Sequence, residues 1–205
     1  MRRSAVVLTF LLLVACVSYC SALGIGKLGI GARGGVLRVQ GDDIEGYGIG
    51  PAFGGHISFG IIPGLTAVGS FTYGWNEHDE VQDAKLVYMP IALGIQYDLS
   101  SFMPPGIMFV PGVGAGAGMY TWKSELEGES VKVGDEDLEG SDLGLYGELG
   151  VEFLPIPDLG IRPHVGFHYI FSADEDKFGA AWDSNSYLIA GGVGVTYYIS
   201  IIPIP

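Results

Sequence analysis

The sequence predicts an all-β fold: an eight-stranded antiparallel up-and-down transmembrane β-barrel. Three observations lead there. Eight glycine-rich segments follow one another, each ended by a turn or an acidic loop. Within them large apolar residues alternate with small or polar ones at the period of two that marks a strand. Of the 23 acidic residues, 19 fall in four short stretches, Asp42 to Glu45, Glu77 to Asp83, Glu125 to Asp142 and Asp174 to Asp183, so the net charge of −13 sits almost wholly between the segments. A soluble β-domain needs a surface of roughly 25–35% charged residues, which these strands do not supply, so the solvent they face is expected to be lipid. At membrane depth every backbone N–H and C=O must find a partner, and only a closed barrel gives strands that.

The first 22 residues read as a removable leader. Arg2 and Arg3 precede an apolar run from Ala5 to about Ala15, too short to span a bilayer as a helix and suited to a secretory signal. Cys20-Ser21-Ala22 offers small residues where a signal peptidase cuts. Leu13-Val14-Ala15-Cys16 gives a competing cut, because it resembles the lipobox whose cysteine is lipidated. Simple cleavage is preferred, since lipidation at Cys16 would leave an unusually short tether before the first strand. Cleavage after Ala22 removes both cysteines, leaving residues 23–205 as a barrel domain without thiols.

The strands are placed at about 24–39, 46–60, 64–75, 84–98, 106–122, 142–154, 159–172 and 185–199. Each exceeds the 9–11 residues that cross a bilayer when tilted, and their glycines oppose helix at about 1 kcal/mol apiece. The first contains two matches to G-x-G-x-x-G, Gly24 to Gly29 and Gly29 to Gly34. A dinucleotide site needs a strand before such glycines and a helix after them; here a leader precedes and alternation continues, so they read as small residues in a packed strand. Alternation is clearest in the last three segments. Leu143, Leu145, Leu149, Val151 and Phe153 oppose Tyr146, Glu148 and Glu152; Ile161, Val165, Phe167, Tyr169 and Phe171 oppose Arg162, His164, Gly166 and His168. In the eighth, Tyr187, Ile189, Val193, Val195, Tyr197 and Ile199 oppose Ser186, Ala190, Gly192, Gly194 and Thr196.

The connections alternate as well. Ile62-Pro63-Gly64, the stretch from Ser100 to Pro105, and Pro155 to Asp158 are short and proline-rich, whereas the acidic stretches lie at the opposite strand ends. In outer-membrane barrels the short turns are periplasmic and the long loops external. The acidic loops are therefore expected outside the cell and both termini in the periplasm. This pattern, with Gly194, Tyr197 and Ile199 in the final strand, resembles the small eight-stranded outer-membrane barrels: the OmpA transmembrane domain, OmpX and the opacity-type adhesins. The resemblance covers about Leu23 to Ile199. It implies a multi-pass protein of a Gram-negative-type outer membrane whose partners are outer-membrane lipid, the barrel-insertion machinery and an extracellular or host ligand. Six residues, Ser200 to Pro205, follow where these families usually stop at an aromatic, and the cell-wall tether of full-length OmpA is not carried over.

Among side chains that could do chemistry, the inward polar set stands out: Arg33, Glu148, Glu152, Arg162, His164 and His168, with Lys27 as a further member. The turn at Pro155 to Asp158 sets Glu152 near Arg162 and Gly150 opposite His164. Charges inside a narrow barrel must be paired, so a salt-bridged plug is expected, with a gated polar path as the alternative. His164 and His168 would lie about 13 Å apart on a strand, too far for one metal ion. His56 and Ser58 resemble the H-x-S pair of a barrel-shaped lipid A deacylase, but their place on the second strand and the lack of a following Glu count against an esterase. The outer loop candidates Asp135, Glu136, Asp137 and Glu139 begin like a calcium loop, yet its twelfth position is Tyr146 instead of Glu. Tyr47, Tyr73, Trp75, Tyr88, Tyr120, Trp122, Tyr187 and Tyr197 lie toward strand ends, where aromatic rings favour the headgroup boundary. No basic patch suggests nucleic acid.

Eight strands enclose an interior just wide enough for side chains, which argues against a general porin. The expected role is a non-enzymatic structural and surface-interaction barrel working through its acidic loops, without metal or cofactor. A narrow channel for small polar solutes is the alternative, and a lipid-modifying esterase comes last.

Overall fold

The computed structural model describes residues 25–41, 44, 46–99, 102, 109–156, 158–171 and 185–201. The leader expected over residues 1–22, the acidic stretch at 174–183 and the end of the tail lie outside the described residues, as do three of the four positions from 42 to 45. Among the described residues no helix is long and apolar enough to cross a membrane; the crossing is made by strands.

Eight long strands form the wall: β1 (Lys27–Gln40), β2 (Gly50–Ile62), β3 (Leu65–Glu77), β4 (Ala84–Asp98), β5 (Phe109–Leu126), β9 (Glu139–Ile156), β10 (Leu159–Phe171) and β11 (Ser186–Ser200). Between β5 and β9 come three two-residue strands, β6 (Glu129–Ser130), β7 (Lys132–Val133) and β8 (Glu136–Asp137). Each wall strand pairs antiparallel with its sequence neighbours, and β1 pairs with β11 along its whole length, from Lys27↔Ser200 to Gln40↔Tyr187. The sheet thus closes on itself and leaves no edge to lipid.

The alternation read from the sequence sets the two faces. Leu93, Leu143, Leu149, Val165, Val193 and Val195 all point outward and are exposed. An apolar belt of this extent is incompatible with water and suits hydrocarbon. Aromatic rings border it. Toward the loop end Phe53, Tyr73 and Trp75 cluster on β2 and β3, and Phe167, Tyr169, Phe171 and Tyr187 on β10 and β11. Toward the turn end Phe109 stacks on Phe153 at 5.3 Å. The aromatic set predicted for the headgroup boundary therefore divides. Tyr73, Trp75, Tyr187 and Tyr197 face out, Tyr88, Tyr120 and Trp122 are buried inside, and Tyr47 packs edge-on against His78 in the loops.

Several strand boundaries differ from the expectation. The fifth and sixth segments continue past residues 122 and 142, pairing Lys123↔Glu139 and Glu125↔Ser130 before a second small ladder, Lys132↔Asp137 and Val133↔Glu136. A ladder already in register can keep its hydrogen bonds in water, where acidic side chains are tolerated on both faces, so charge ends the lipid belt without ending the strand. The second segment starts later, at Gly50. Tyr47 makes only an isolated bridge to His78, beside Gly46 with its φ of 86°.

Candidate functional site

The lumen is built in three levels. At the loop end it is packed with apolar side chains. Leu37 and Val39 of β1, Leu86 and Tyr88 of β4, Tyr120 and Trp122 of β5, Ile170 of β10 and Leu188 of β11 form one buried cluster with Leu138, which folds back from the hairpin. Burying side chains of this size contributes about 1.5–3 kcal/mol each. Polar donors in this level find acceptors, whereas Asn76 Oδ1 has no hydrogen-bond partner among the described residues. The Trp122 indole donates to Asp142 Oδ2 at 2.8 Å, and the Asn76 amide donates to the carbonyls of Leu37 at 3.0 Å and Gly48 at 2.6 Å.

The middle level is polar. Arg33 on β1 and Arg162 on β10 are each in register with Gly194 on β11, the strand between them. A residue without a side chain separates the two guanidinium groups, and both turn toward the carboxylate of Glu148 on β9. Arg33 Nη1 lies 3.6 Å from Glu148 Oε2 and Arg162 Nε 3.5 Å from Glu148 Oε1. Arg33 Nη2 also donates to Thr72 Oγ1 at 2.9 Å. Arg162 lies over Gly112 and Gly150, where any side chain would collide with it. His56 Nε2 bonds Thr196 Oγ1 at 2.9 Å, His164 Nδ1 lies 3.3 Å from the carbonyl of Arg162, and His168 Nδ1 bonds the Tyr120 hydroxyl at 2.7 Å while its ring stacks on Tyr146. Two cavities of about 60 and about 40 Å³ adjoin this level, sharing Arg33, Glu148, His164 and His168 in their walls.

At the turn end Glu152, 3% exposed, takes a hydrogen bond from the Tyr198 hydroxyl. Glu152 lies near enough to Arg162 to feel its charge, as expected, but its hydrogen bond comes from Tyr198, and the ion pair of Arg162 is made with Glu148. Gly160 supplies the reason. It stands on β10 between the strands that carry Glu152 and Tyr198, and a side chain there would strike both of them. Its absence lets the carboxylate and the phenol meet over the intervening strand. Gly150 does stand opposite His164, and His164 and His168 share the inward face without converging. Lys27 starts β1 on the same inward face, but no ion pair joins it to the cluster among the described residues.

The remaining candidates are placed as follows. Asp135, Glu136, Asp137 and Glu139 lie exposed on the projecting hairpin, where Lys132 Nζ pairs with Asp137 Oδ1 at 3.8 Å. They belong to a structured hairpin instead of the irregular loop a calcium site requires. Among the described residues no group of three metal-ligating side chains is gathered. His56 and Ser58 both face inward, yet the bonded partner of His56 is Thr196, and Ser58 Oγ has no hydrogen-bond partner among the described residues. The loop end, missed as a distinct level by the sequence reading, could have been found from Leu37, Val39, Leu86 and Leu188, which are large apolar residues on the otherwise small or polar face.

A closed, lipid-belted sheet of eight antiparallel strands with a filled interior has counterparts of the same fold among solved structures. Neisserial surface protein A superposes with a TM-score of 0.57 at 16% identity, covering 83% of this chain and 98% of that one. The fold is that of the small eight-stranded outer-membrane barrels. Ail, the attachment invasion locus protein of Yersinia pestis, matches at 0.52 with 17% identity over 85% of this chain and 99% of its own. The N-terminal β-barrel domain of Pseudomonas aeruginosa OprF matches at 0.51 with 16% identity over 85% and 98%. No family model and no curated protein matches the chain. The outer-membrane barrel described here crosses its membrane eight times, and identities this low carry the architecture alone.

Proposed function

We propose that this outer-membrane barrel is a surface-interaction protein whose acidic loop end engages cationic groups outside the cell. The observation that carries the reading is the separation of roles along the barrel axis. Carboxylates are held on a hairpin that continues the β5–β9 ladder beyond the lipid belt, while the lumen beneath them is packed by the Leu37 to Leu188 cluster. A rigid ladder fixes the charges it displays, which lowers the ordering cost of binding. The structural neighbours give a contrast: Ail has been crystallised with the heparin analogue sucrose octasulfate, a polyanion. The described loops of this chain are dominated by carboxylates and call for the opposite charge in a partner. No catalytic activity is assigned.

The test is binding of a basic peptide or polylysine to cells or proteoliposomes carrying the barrel, with and without the segment 127–138. Binding that falls with added salt and disappears on the deletion, while the barrel stays folded, is the expected result. Undiminished binding by the deletion variant overturns it. The second reading, a narrow channel for small polar solutes, draws on the polar middle level and its cavities. It expects planar-bilayer conductance that rises in Glu152→Ala and is indifferent to the deletion.

A further inference from the structure

We infer that the middle level of the lumen is a binding site for a small monoanion of halide or formate size, held between the guanidinium groups of Arg33 and Arg162. The inference is independent of the surface reading, which concerns the loops. Two permanently charged guanidinium groups face one carboxylate, Glu148, at 3.5 and 3.6 Å. Charge-assisted N–H···O bonds close to about 2.7–2.9 Å when fully formed, so Glu148 is spread between two partners and completes neither. Three guanidinium nitrogens, Arg33 Nε and Arg162 Nε and Nη2, are buried without a hydrogen-bond partner among the described residues. Buried N–H groups left without an acceptor are costly in a closed lumen.

The second carboxylate, Glu152, is near enough to Arg162 to feel its charge but forms no ion pair with it among the described residues. Glu152 is bonded to Tyr198 over Gly160. The arginines and Glu148 line a cavity of about 60 Å³ together with His56, His164 and His168, the histidines bringing N–H groups and no fixed negative charge. That volume exceeds the roughly 10–15 Å³ a water needs, and it suits a halide or a formate but not a sugar or a nucleotide. Water alone could take up the N–H bonds. It would leave the two guanidinium groups sharing the one carboxylate ion-paired at this level, and an anion supplies both an acceptor and a charge. Gly194, in register with both arginines, leaves the space between them open from the wall side.

The experiment uses the folded full-length barrel in detergent. Crystals soaked in bromide should show an anomalous peak between Arg33 and Arg162, and the melting temperature should rise saturably with bromide or formate but not with gluconate at equal ionic strength. Glu148→Gln should lower the half-saturating bromide concentration by about tenfold, equivalent to about 1.4 kcal/mol, and Arg162→Met should abolish the saturable response. A cavity occupied by water alone, with identical melting in bromide and gluconate, overturns the proposal. So does a bromide response that survives in Arg162→Met. Should Arg162→Met fail to fold, the wild-type crystal and the comparison of salts decide the matter.

Discussion

The Tyr198 hydroxyl donates to the Glu152 carboxylate from a strand that is not its neighbour, reaching over Gly160 of β10. Both side chains are buried, at 4% and 3% exposure. Tyr198→Phe removes the donor and leaves the acceptor in place, and Gly160→Ala puts a methyl group where the two meet. Each variant should lose about 1–3 kcal/mol, the cost of stranding a buried polar group. Urea unfolding from lipid vesicles would measure it, and a variant as stable as wild type would mean that water takes over the bond.

An arginine on the lipid belt should be far worse than one in the lumen. Val193 is outward and 47% exposed near the midpoint of β11. Val193→Arg should destabilise the barrel by about 2–4 kcal/mol at the bilayer midplane, read from the same unfolding curves. A tolerated Val193→Arg would identify the outer face as water-facing and remove the case for a membrane barrel.

Two tryptophans should report opposite environments. Trp75 joins the outer aromatic group with Phe53 and Tyr73, whereas Trp122 lies inside, bonded to Asp142. In variants that each retain one of these as the sole tryptophan, lipids brominated near the headgroup should quench Trp75 strongly and Trp122 weakly. Equal quenching would contradict the inward placement of Trp122.

The loop after β3 is pinned by a ring nitrogen. His78 Nδ1 accepts from the backbone N–H groups of Glu80 and Val81, each at 3.1 Å, and its ring meets Tyr47 edge-on. His78→Ala should speed proteolysis between residues 78 and 83 severalfold and leave the heat-modifiable mobility of the barrel on gels unchanged. Protection equal to wild type would assign the loop's order to other contacts.

The wall of this barrel could be read from its sequence because the period-two pattern carries the information directly. Val193, Val195 and Tyr197 cannot face lipid unless Gly192, Gly194 and Thr196 face the lumen. Strand ends were legible only where charge and ladder end together, as at Ala84 and Asp98. On β5 and β9 the ladder outlives the lipid, and the expected boundaries fell short. The lumen was half legible. Its inward members follow from alternation, but which carboxylate meets which arginine depends on neighbours across the barrel. Gly160 opens the way from Glu152 to Tyr198, and Gly194 separates Arg33 from Arg162; both are features of strand order that local periodicity does not encode.

The apolar cluster at the loop end draws on β1 and β11 together with strands from the middle of the chain. Leu37 and Leu188 become neighbours only when the first and last strands meet, whereas Tyr88 and Trp122 already face each other across β4 and β5, so an open sheet assembles only parts of the cluster. Completing the cluster thus requires closing the seam. The entropy of joining strands some 150 residues apart is offset by the apolar burial that the same seam completes, so the last pairing of the wall and the last layer of the plug stabilise each other.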